Sequence, residues 1–182
     1  MITEPREIML AGLGGQGVIL AGALLGQAAV ASGLYAAGAS SYGAQARGSL
    51  SRAELIIAME PIDYPRVEAP DLLVAMCQEA HDAHAGLLAP GGRLLWDDGL
   101  VRPAPGGAGL GLPVALTARQ ELGAPLAANV LWVGVVAGVT NWWQTAALEE
   151  ALAGALPARH LEVNRRALGR GLEMGRQARP EA

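Results

Sequence analysis

Residues 12–17 read Gly-Leu-Gly-Gly-Gln-Gly, and this stretch decides how the start of the chain folds. An apolar run precedes it at residues 8–11, and a longer apolar segment follows at residues 18–31. The pattern predicts a buried strand, a tight turn and a helix that begins at or near Gly17, as in a Rossmann-like unit. Because the first N–H groups of a helix attract anions, we expect an anion- or partner-binding turn made of Gly12, Gly14, Gly15, Gln16 and Gly17.

A nicotinamide-binding unit needs one more feature, an acidic residue about 20 residues after the glycines that binds the ribose hydroxyls. Residues 37–41 read Ala-Gly-Ala-Ser-Ser, and the first arginine that could bind a 2′-phosphate is Arg47. The sequence therefore argues against NAD. A stand-alone nucleotide-binding module that uses the turn at residues 12–17 stays open as an alternative.

A polar stretch, residues 40–48, follows the second predicted strand at residues 34–38. Ligands and partners bind at the carboxyl ends of the strands in open α/β sheets. We therefore predict a docking or anion-binding loop formed by Ser41, Tyr42, Gly43, Arg47 and Gly48, with the guanidinium of Arg47 supplying donors. An ordinary surface connection is the alternative.

The rest of the chain alternates predicted strands and helices. Further strands are predicted at residues 49–59, 71–76, 93–96 and 113–116, and a capping-box pattern predicts a short helix that begins at Thr117. Helices are predicted at residues 79–88, 125–141, 145–156 and 159–177. The stretch at residues 103–111, rich in proline and glycine, predicts a loop. The fold class is thus α/β, a single Rossmann-like domain over residues 1–182 with a mainly parallel sheet flanked by helices, C-terminal helices, and a frayed tail at residues 178–182.

The composition limits the possible partners. Hydrophobic residues make up 52% of the 182 residues and charged residues only 16%, so we expect partner subunits to cover part of the surface. The net charge of −4 gives no reason to expect nucleic acid. Asn129 and several glycines interrupt the longest apolar segment, and the polar start is no signal peptide, so we expect no membrane partner and a cytoplasmic location.

Several polar residues allow a chemical and a structural interpretation. Cys77 could be a reactive thiol or a small hydrophobe; being the only cysteine, it cannot hold an iron–sulfur cluster alone. His81 and His84 lack a third metal ligand at useful spacing, and the aspartates at 97 and 98 suit a turn better than Mg²⁺. Trp142 and the tryptophan after it fill the core or anchor an interface. We predict no catalytic residue and no metal ligand in this chain.

Longer motifs give a more specific signal than the glycines alone. They are Ala-Gly-Leu-Gly-Gly-Gln-Gly-Val at 11–18, Ser-Tyr-Gly-Ala-Gln-Ala-Arg-Gly at 41–48, Pro-Asp-Leu-Leu-Val-Ala-Met at 70–76, and Asn-Arg-Arg-Ala at 164–167. In this order and spacing the chain resembles the gamma subunit of 2-oxoacid:ferredoxin oxidoreductases that act on pyruvate, ketoisovalerate or 2-oxoglutarate. It departs from the usual loop at Ala44, Gln45 and Ser49, where the family usually has Pro, Glu and Gly.

The resemblance implies a subunit that is not catalytic alone and that braces a thiamine-dependent complex. Such a complex converts a 2-oxoacid and coenzyme A to an acyl-CoA, carbon dioxide and reduced ferredoxin. Thiamine diphosphate, Mg²⁺, iron–sulfur clusters and coenzyme A are then expected in the complex, and none is assigned to this chain. The implied partners are the alpha and beta subunits, and ferredoxin indirectly. A subunit of an indolepyruvate-type oxidoreductase and a non-enzymatic scaffold are alternatives.

Overall fold

The computed structural model describes residues 2–42, 49–104 and 109–179. In these residues the chain forms a six-stranded sheet of order β2-β3-β1-β4-β5-β6. The strands are β1 (Arg6–Leu13), β2 (Tyr35–Tyr42), β3 (Leu50–Ala58), β4 (Leu72–Ala75), β5 (Arg93–Asp97) and β6 (Leu110–Leu112). The helices are α1 (Val18–Ala31), α2 (Gln78–His84), α3 (Val114–Gln120), α4 (Ala128–Thr140), α5 (Thr145–Ala155) and α6 (Ala158–Gln177), with 3₁₀ turns at Ala85–Leu87 and Pro125–Ala127.

The sheet is mainly parallel, which confirms the predicted fold class. Only β3 runs against the others: it pairs antiparallel with β1 on one side and with β2 on the other. β3 therefore separates β1 from β2, which a simple βαβ unit would place side by side. As a result β2 is the outermost strand, and its carboxyl end lies at the same edge of the sheet as that of β1. We call this the carboxyl edge.

The first helix forms as the sequence predicts. Gly33 has a φ of +81°, and its N–H donates to the carbonyl of Val30, so this glycine ends α1. Gly22 lets α1 approach the sheet closely, because a Cβ there would lie 2.6 Å from the Cβ of Ala53 on β3. α1 thus lies directly over β2 and β3.

The two faces of the sheet are covered unequally. One face carries Leu10 and Val74, which share a core with α1, α3, α4, α5 and α6. The other face carries Met9 and Leu73, and among the helices only the short α2 packs there in the described residues. α4 is buried along nearly its whole length, and α6 packs on α4 and α5 as an outer layer.

Glycines set the distance between α4 and α6. Gly134 and Gly138 of α4 face Gly171 and Gly175 of α6. A Cβ on Gly171 would lie 2.1 Å from the carbonyl oxygen of Leu131, so the two backbones touch directly. Four-residue glycine spacing on both helices creates this close crossing.

Two local predictions are wrong. The strand predicted at residues 113–116 is instead the start of α3, which begins at Val114, so Thr117 lies inside the helix rather than at its cap. The last strand lies just before it, at Leu110–Leu112, within a glycine-rich stretch that predicts a loop. A Cβ on Gly111 would lie 2.8 Å from the indole nitrogen of Trp96, so strand pairing beside this ring requires glycine.

The end of the chain agrees with the predicted helices. Trp143 fills the core, where its indole N–H donates to the Leu25 carbonyl at 2.9 Å, whereas Trp142 is half-buried. Residues 180–182 of the predicted tail lie outside the described part. No helix in that part is both long and apolar enough to span a membrane.

Candidate functional site at the carboxyl edge

The glycine turn, residues 12–17, joins β1 to α1 at the carboxyl edge. Gly15 and Gly17 have φ values of +100° and +72°, which side chains disfavour. Gly17 is the N-cap of α1 and offers no side chain to the first N–H groups of the helix. The helix start therefore presents backbone donors that its own cap does not bind.

Gln16 holds the turn together rather than facing a ligand. Its side-chain oxygen accepts from the N–H of Leu13 at 2.6 Å, and its Nε2 donates to the Met76 carbonyl at 3.0 Å. Gly12 makes room for it, since a Cβ at that position would lie 2.6 Å from this oxygen. Two of the predicted site residues, Gly12 and Gln16, thus tie the end of β1 to the end of β4.

Gly17 also supports the packing of α4. A Cβ at Gly17 would lie 2.4 Å from Nδ2 of Asn129, in the first turn of α4. Asn129 is 7% exposed, so this contact is buried. The starts of α1 and α4 therefore meet at the carboxyl edge, and the predicted site residues omitted this second helix, although Asn129 is the polar exception in an apolar segment.

Tyr42 lies beside the glycine turn. Tyr42 pairs with Ser51 of β3, which in turn pairs with Gly12 of β1. Tyr42, Ser51, Gly14, Gly15 and Gly17 line one open cavity of about 620 Å³, the turn cavity. Tyr42 is 67% exposed and its side chain is accessible from this cavity.

Ser41 does not join them. Neighbouring strand residues point to opposite faces, and Ser41 lines a separate cavity with Arg52 and Arg66. The predicted loop at 40–48 also begins later than expected, because Ser40 to Tyr42 are part of β2. Of the remaining predicted residues, Gly43, Arg47 and Gly48 lie outside the described residues, as do Ala44 and Gln45.

The described lining of the turn cavity contains no charged side chain. Its polar groups are backbone amides and the hydroxyls of Tyr42 and Ser51. Such a lining can bind an anion or pack against another chain, but it supplies no strong acid or base.

Two ionisable residues lie near the carboxyl edge, Asp97 at the end of β5 and Cys77 shortly after β4. Both stabilise local structure. Asp97 is 1% exposed and accepts from the N–H groups of Gly99 at 3.1 Å and Ala115 at 2.7 Å. Burial raises the pKa of this carboxyl. Cys77 caps α2 by accepting from the N–H of Ala80, and burial raises the pKa of its thiol, so the structure favours the small-hydrophobe interpretation.

Metal chemistry finds no support in the described residues, where no three His, Cys, Asp or Glu side chains cluster to bind an ion. His81 contacts Asp82 at 3.0 Å on the exposed side of α2. With one cysteine in the whole sequence, this chain does not fit an iron–sulfur cluster.

Residues 7–174 match the family model described as pyruvate ferredoxin/flavodoxin oxidoreductase. The chain belongs to this family. It is 36% identical to the 2-oxoglutarate synthase subunit KorC of Methanocaldococcus jannaschii, covering 94% of this chain and 95% of that one. KorC of Methanothermobacter thermautotrophicus is 39% identical, covering 96% and 97%. Against the keto/oxoacid ferredoxin oxidoreductase gamma subunit from Geobacter sulfurreducens, the TM-score is 0.87 with 33% identity, over 98% of this chain and 100% of that one.

These similarities confirm the resemblance that the motifs indicated. The chain is a gamma-type subunit of a 2-oxoacid oxidoreductase, as predicted. A larger protein shares the fold: in the 2-oxoglutarate:ferredoxin oxidoreductase from Magnetococcus marinus, solved with 2-oxoglutarate, coenzyme A and succinyl-CoA, the TM-score is 0.88 at 22% identity. This chain covers 32% of that protein, so in the larger chain the fold is one part among others.

Proposed function

We propose that this chain is the gamma-type subunit of a complex that oxidises 2-oxoglutarate with coenzyme A and passes electrons to ferredoxin. The KorC relatives, similar over nearly their whole length, support 2-oxoglutarate as the substrate. A ketoisovalerate oxidoreductase subunit, VorA of Methanothermobacter thermautotrophicus, is 32% identical over 71% of this chain and 27% of that one, which keeps ketoisovalerate as the second candidate substrate. In this proposal alpha and beta subunits carry thiamine diphosphate, Mg²⁺ and the iron–sulfur clusters.

The observation that carries the proposal is the chemistry of the turn cavity. The turn cavity, of about 620 Å³, is lined by backbone groups at the start of α1 and by the exposed Tyr42, and its described lining contains no charged side chain. This lining suits binding and orientation, and the bond-breaking steps belong to cofactors on the other subunits. The chain thus braces the complex and completes a binding surface.

The bound group is an anion, and coenzyme A supplies one in its phosphates. Helix N-termini with glycine turns bind phosphate through backbone N–H groups, and the turn at Gly15 and Gly17 has that form, whereas the N–H of Gly14 already donates to the Ser49 carbonyl at 2.9 Å. Arg47, with Gly43 and Gly48, enters this proposal from the sequence alone. An acidic side chain of a partner subunit would satisfy the same donors.

The first experiment is a gentle affinity purification of this chain from its source cells. We expect larger subunits to co-purify with thiamine diphosphate and iron–sulfur absorbance. The purified complex should reduce ferredoxin fastest with 2-oxoglutarate, compared with pyruvate, 2-oxoisovalerate and indolepyruvate, and only with coenzyme A present. A lone oligomer without cofactors would contradict the proposal. Calorimetry of that oligomer with NAD, NADP, ATP and coenzyme A would then test the nucleotide-binding alternative.

A second experiment tests the cavity itself. Tyr42→Ala in the complex should raise the apparent KM for coenzyme A about fivefold to tenfold, the loss of one modest contact, with the KM for 2-oxoglutarate unchanged. Tyr64→Ala is the matched control, because Tyr64 is 60% exposed and is not among the residues that line the turn cavity. If both variants keep the KM of the wild type, the cavity does not contact coenzyme A.

A further inference from the structure

A second cavity borders the glycine turn at the carboxyl edge. It lies toward β4 and β5, whereas the turn cavity lies toward β2 and β3, and Gly15 lines both. Its volume is about 180 Å³. We call it the Asn129 cavity; besides Gly15, its lining includes Asp97, Leu100, Leu126, Asn129 and Trp132.

Asn129 is the buried carboxamide of this cavity. It is 7% exposed, and its side chain forms no hydrogen bond within the part of the chain that the structure describes. The carboxamide is not sealed in, because the fully enclosed side-chain polar atoms without a partner in the described residues belong to Arg6 and Arg52. It therefore opens into the cavity that it lines. A buried carboxamide without a partner costs stability until a group in the cavity binds it.

The charges around the cavity disfavour ions of both signs. Asp97 is the charged side chain in the described lining. Each of its oxygens accepts one N–H, so the carboxyl group keeps free lone pairs and repels an anion. The first turns of α1 and α4 carry the positive ends of two helix dipoles, which disfavour a cation. A neutral carboxamide fits this environment, because it donates and accepts hydrogen bonds at once and can pair with the carboxamide of Asn129.

The size and the rim of the cavity indicate how such a group is carried. A volume of 180 Å³ equals that of about six water molecules, which is room for a terminal carboxamide on a short stem. Two lining residues are apolar and exposed, Leu126 by 90% and Leu100 by 47%. A small molecule inside the cavity would leave these leucines in water, whereas a protein loop that inserts one side chain would cover them.

A second copy of this chain is a poor source of the carboxamide. In a two-fold contact the same surface would have to supply both the cavity and the inserted side chain. Gln16 and Gln78, which follow β1 and β4 at this edge, have both polar atoms bonded within the chain. Neither is free to enter a neighbouring cavity, which favours a different subunit as the source.

We propose that the Asn129 cavity receives the carboxamide of an asparagine or glutamine side chain from a partner subunit, whose apolar surface covers Leu100 and Leu126. The inference rests on the proposed function, because it requires partner subunits, and it adds a specific contact between them and this chain. It does not depend on which 2-oxoacid is oxidised. It explains why the apolar helix α4 carries a polar residue in its first turn.

The first test measures what the cavity binds in the free full-length chain. Three probes share one stem and differ in the end group: propionamide is neutral, propionate is an anion and propylammonium is a cation. In NMR titrations of the isotopically labelled chain, we expect propionamide to shift the side-chain signals of Asn129 and Trp132 in a saturable way. The two ions should bind about fivefold more weakly or worse, because each meets a like charge. The proposal is overturned if no probe saturates or if an ion binds most tightly.

The substitution Asn129→Leu tests the carboxamide itself, because leucine has nearly the same shape without the polar atoms. It removes an unpaired buried group, so the free chain should unfold at a higher Tm and lose the propionamide shift at Trp132. Asn164→Leu is the matched control: Asn164 lies on α6 and donates to the His160 carbonyl. This variant should gain no stability and should bind propionamide like the wild type. A lower Tm for Asn129→Leu would show a structural role and contradict the proposal.

The last test uses the assembled complex. Tagged Asn129→Leu should recover the larger subunits about tenfold less than the tagged wild type, whereas Asn164→Leu should recover them fully. If Asn129→Leu instead changes the oligomeric state of the free chain, a second copy fills the cavity and the proposal is overturned. If the wild type recovers no larger subunits, the proposed function itself fails. If the wild type and Asn129→Leu recover them equally, only the present inference fails.

Discussion

The close crossing of α4 and α6 predicts a large effect from a very small substitution, Gly171→Ala. The added methyl carbon would lie 2.1 Å from the Leu131 carbonyl oxygen and 3.0 Å from the Cα of Gly134. Non-bonded carbon and oxygen atoms need more than about 3 Å, so the backbones must separate by about 1 Å. α4 cannot retreat, because it is buried on its other sides. α6 must therefore move outward, which weakens the packing of Leu168 and Leu172.

The magnitude follows from two opposing contributions. Overpacking a close contact costs about 1–3 kcal/mol, and the upper value applies here because backbone meets backbone. Replacing glycine by alanine in a helix returns up to about 1 kcal/mol. We expect the free energy of unfolding to fall by about 2 kcal/mol, which in a domain of this size lowers Tm by about 4–8 °C.

Gly169 provides the matched control for Gly171. It lies two residues earlier in the same helix, is exposed, and a Cβ there meets nothing within 4 Å. Gly169→Ala gains the same helix propensity without the clash and should raise stability by about 0.5–1 kcal/mol. Urea-induced unfolding of both full-length variants, followed by circular dichroism, measures the difference. Equal free energies of unfolding for the two variants would refute the close crossing.

Three further changes test buried polar contacts. Trp143→Phe removes the indole bond to the Leu25 carbonyl and should cost about 1–3 kcal/mol, measured by urea unfolding, whereas Trp142→Phe, at a half-buried ring without such a bond, should cost less. Gln16→Leu removes both side-chain bonds that hold the glycine turn and should cost about 2 kcal/mol; an unchanged Tm would show that the turn holds itself. Burial raises the pKa of Asp97 above 3.8, so the folded state binds its proton more tightly and the free energy of unfolding falls as pH rises through the raised pKa. Asp97→Asn should remove that component of the pH dependence in unfolding curves recorded across this range; an unchanged slope would contradict it.

The sequence correctly predicts those elements that depend on short-range interactions within the chain. The apolar run, the glycines and Gly33 predict β1, the turn and α1, because strand burial, positive φ and a helix end each require particular residues. The placement of β3 between β1 and β2 could not be predicted this way. The sequence of an apolar strand does not determine which strand it pairs with, because the pairing depends on how the whole sheet assembles.

The two wrong predictions have one physical cause, contacts with distant residues. Glycines at 109 and 111 predict a loop, yet both pack against Trp96, and this packing allows a strand there. Pro113 and the apolar residues after it predict a strand, yet Asp97 binds the N–H of Ala115 and so stabilises the start of α3. The sequence indicates the glycine turn of the candidate site, because the turn depends on local backbone geometry. It does not indicate the contact between Gly17 and Asn129, which depends on how a second helix packs.

Charged residues are distributed unevenly over this molecule, and their distribution separates a solvent-exposed side from a side suited to contact with other chains. α6 carries exposed charges such as Arg165, Arg166 and Glu173, and Arg170 of the same helix pairs with Glu121. Residues 8–46, which include the glycine turn, α1 and β2, carry none. Because burying an unpaired charge is costly and burying small uncharged groups is not, the α6 side suits water and the β2 side suits contact with other chains. If other chains cover the uncharged segment around the glycine turn, as we propose, the low overall charge of this subunit follows from its assembly.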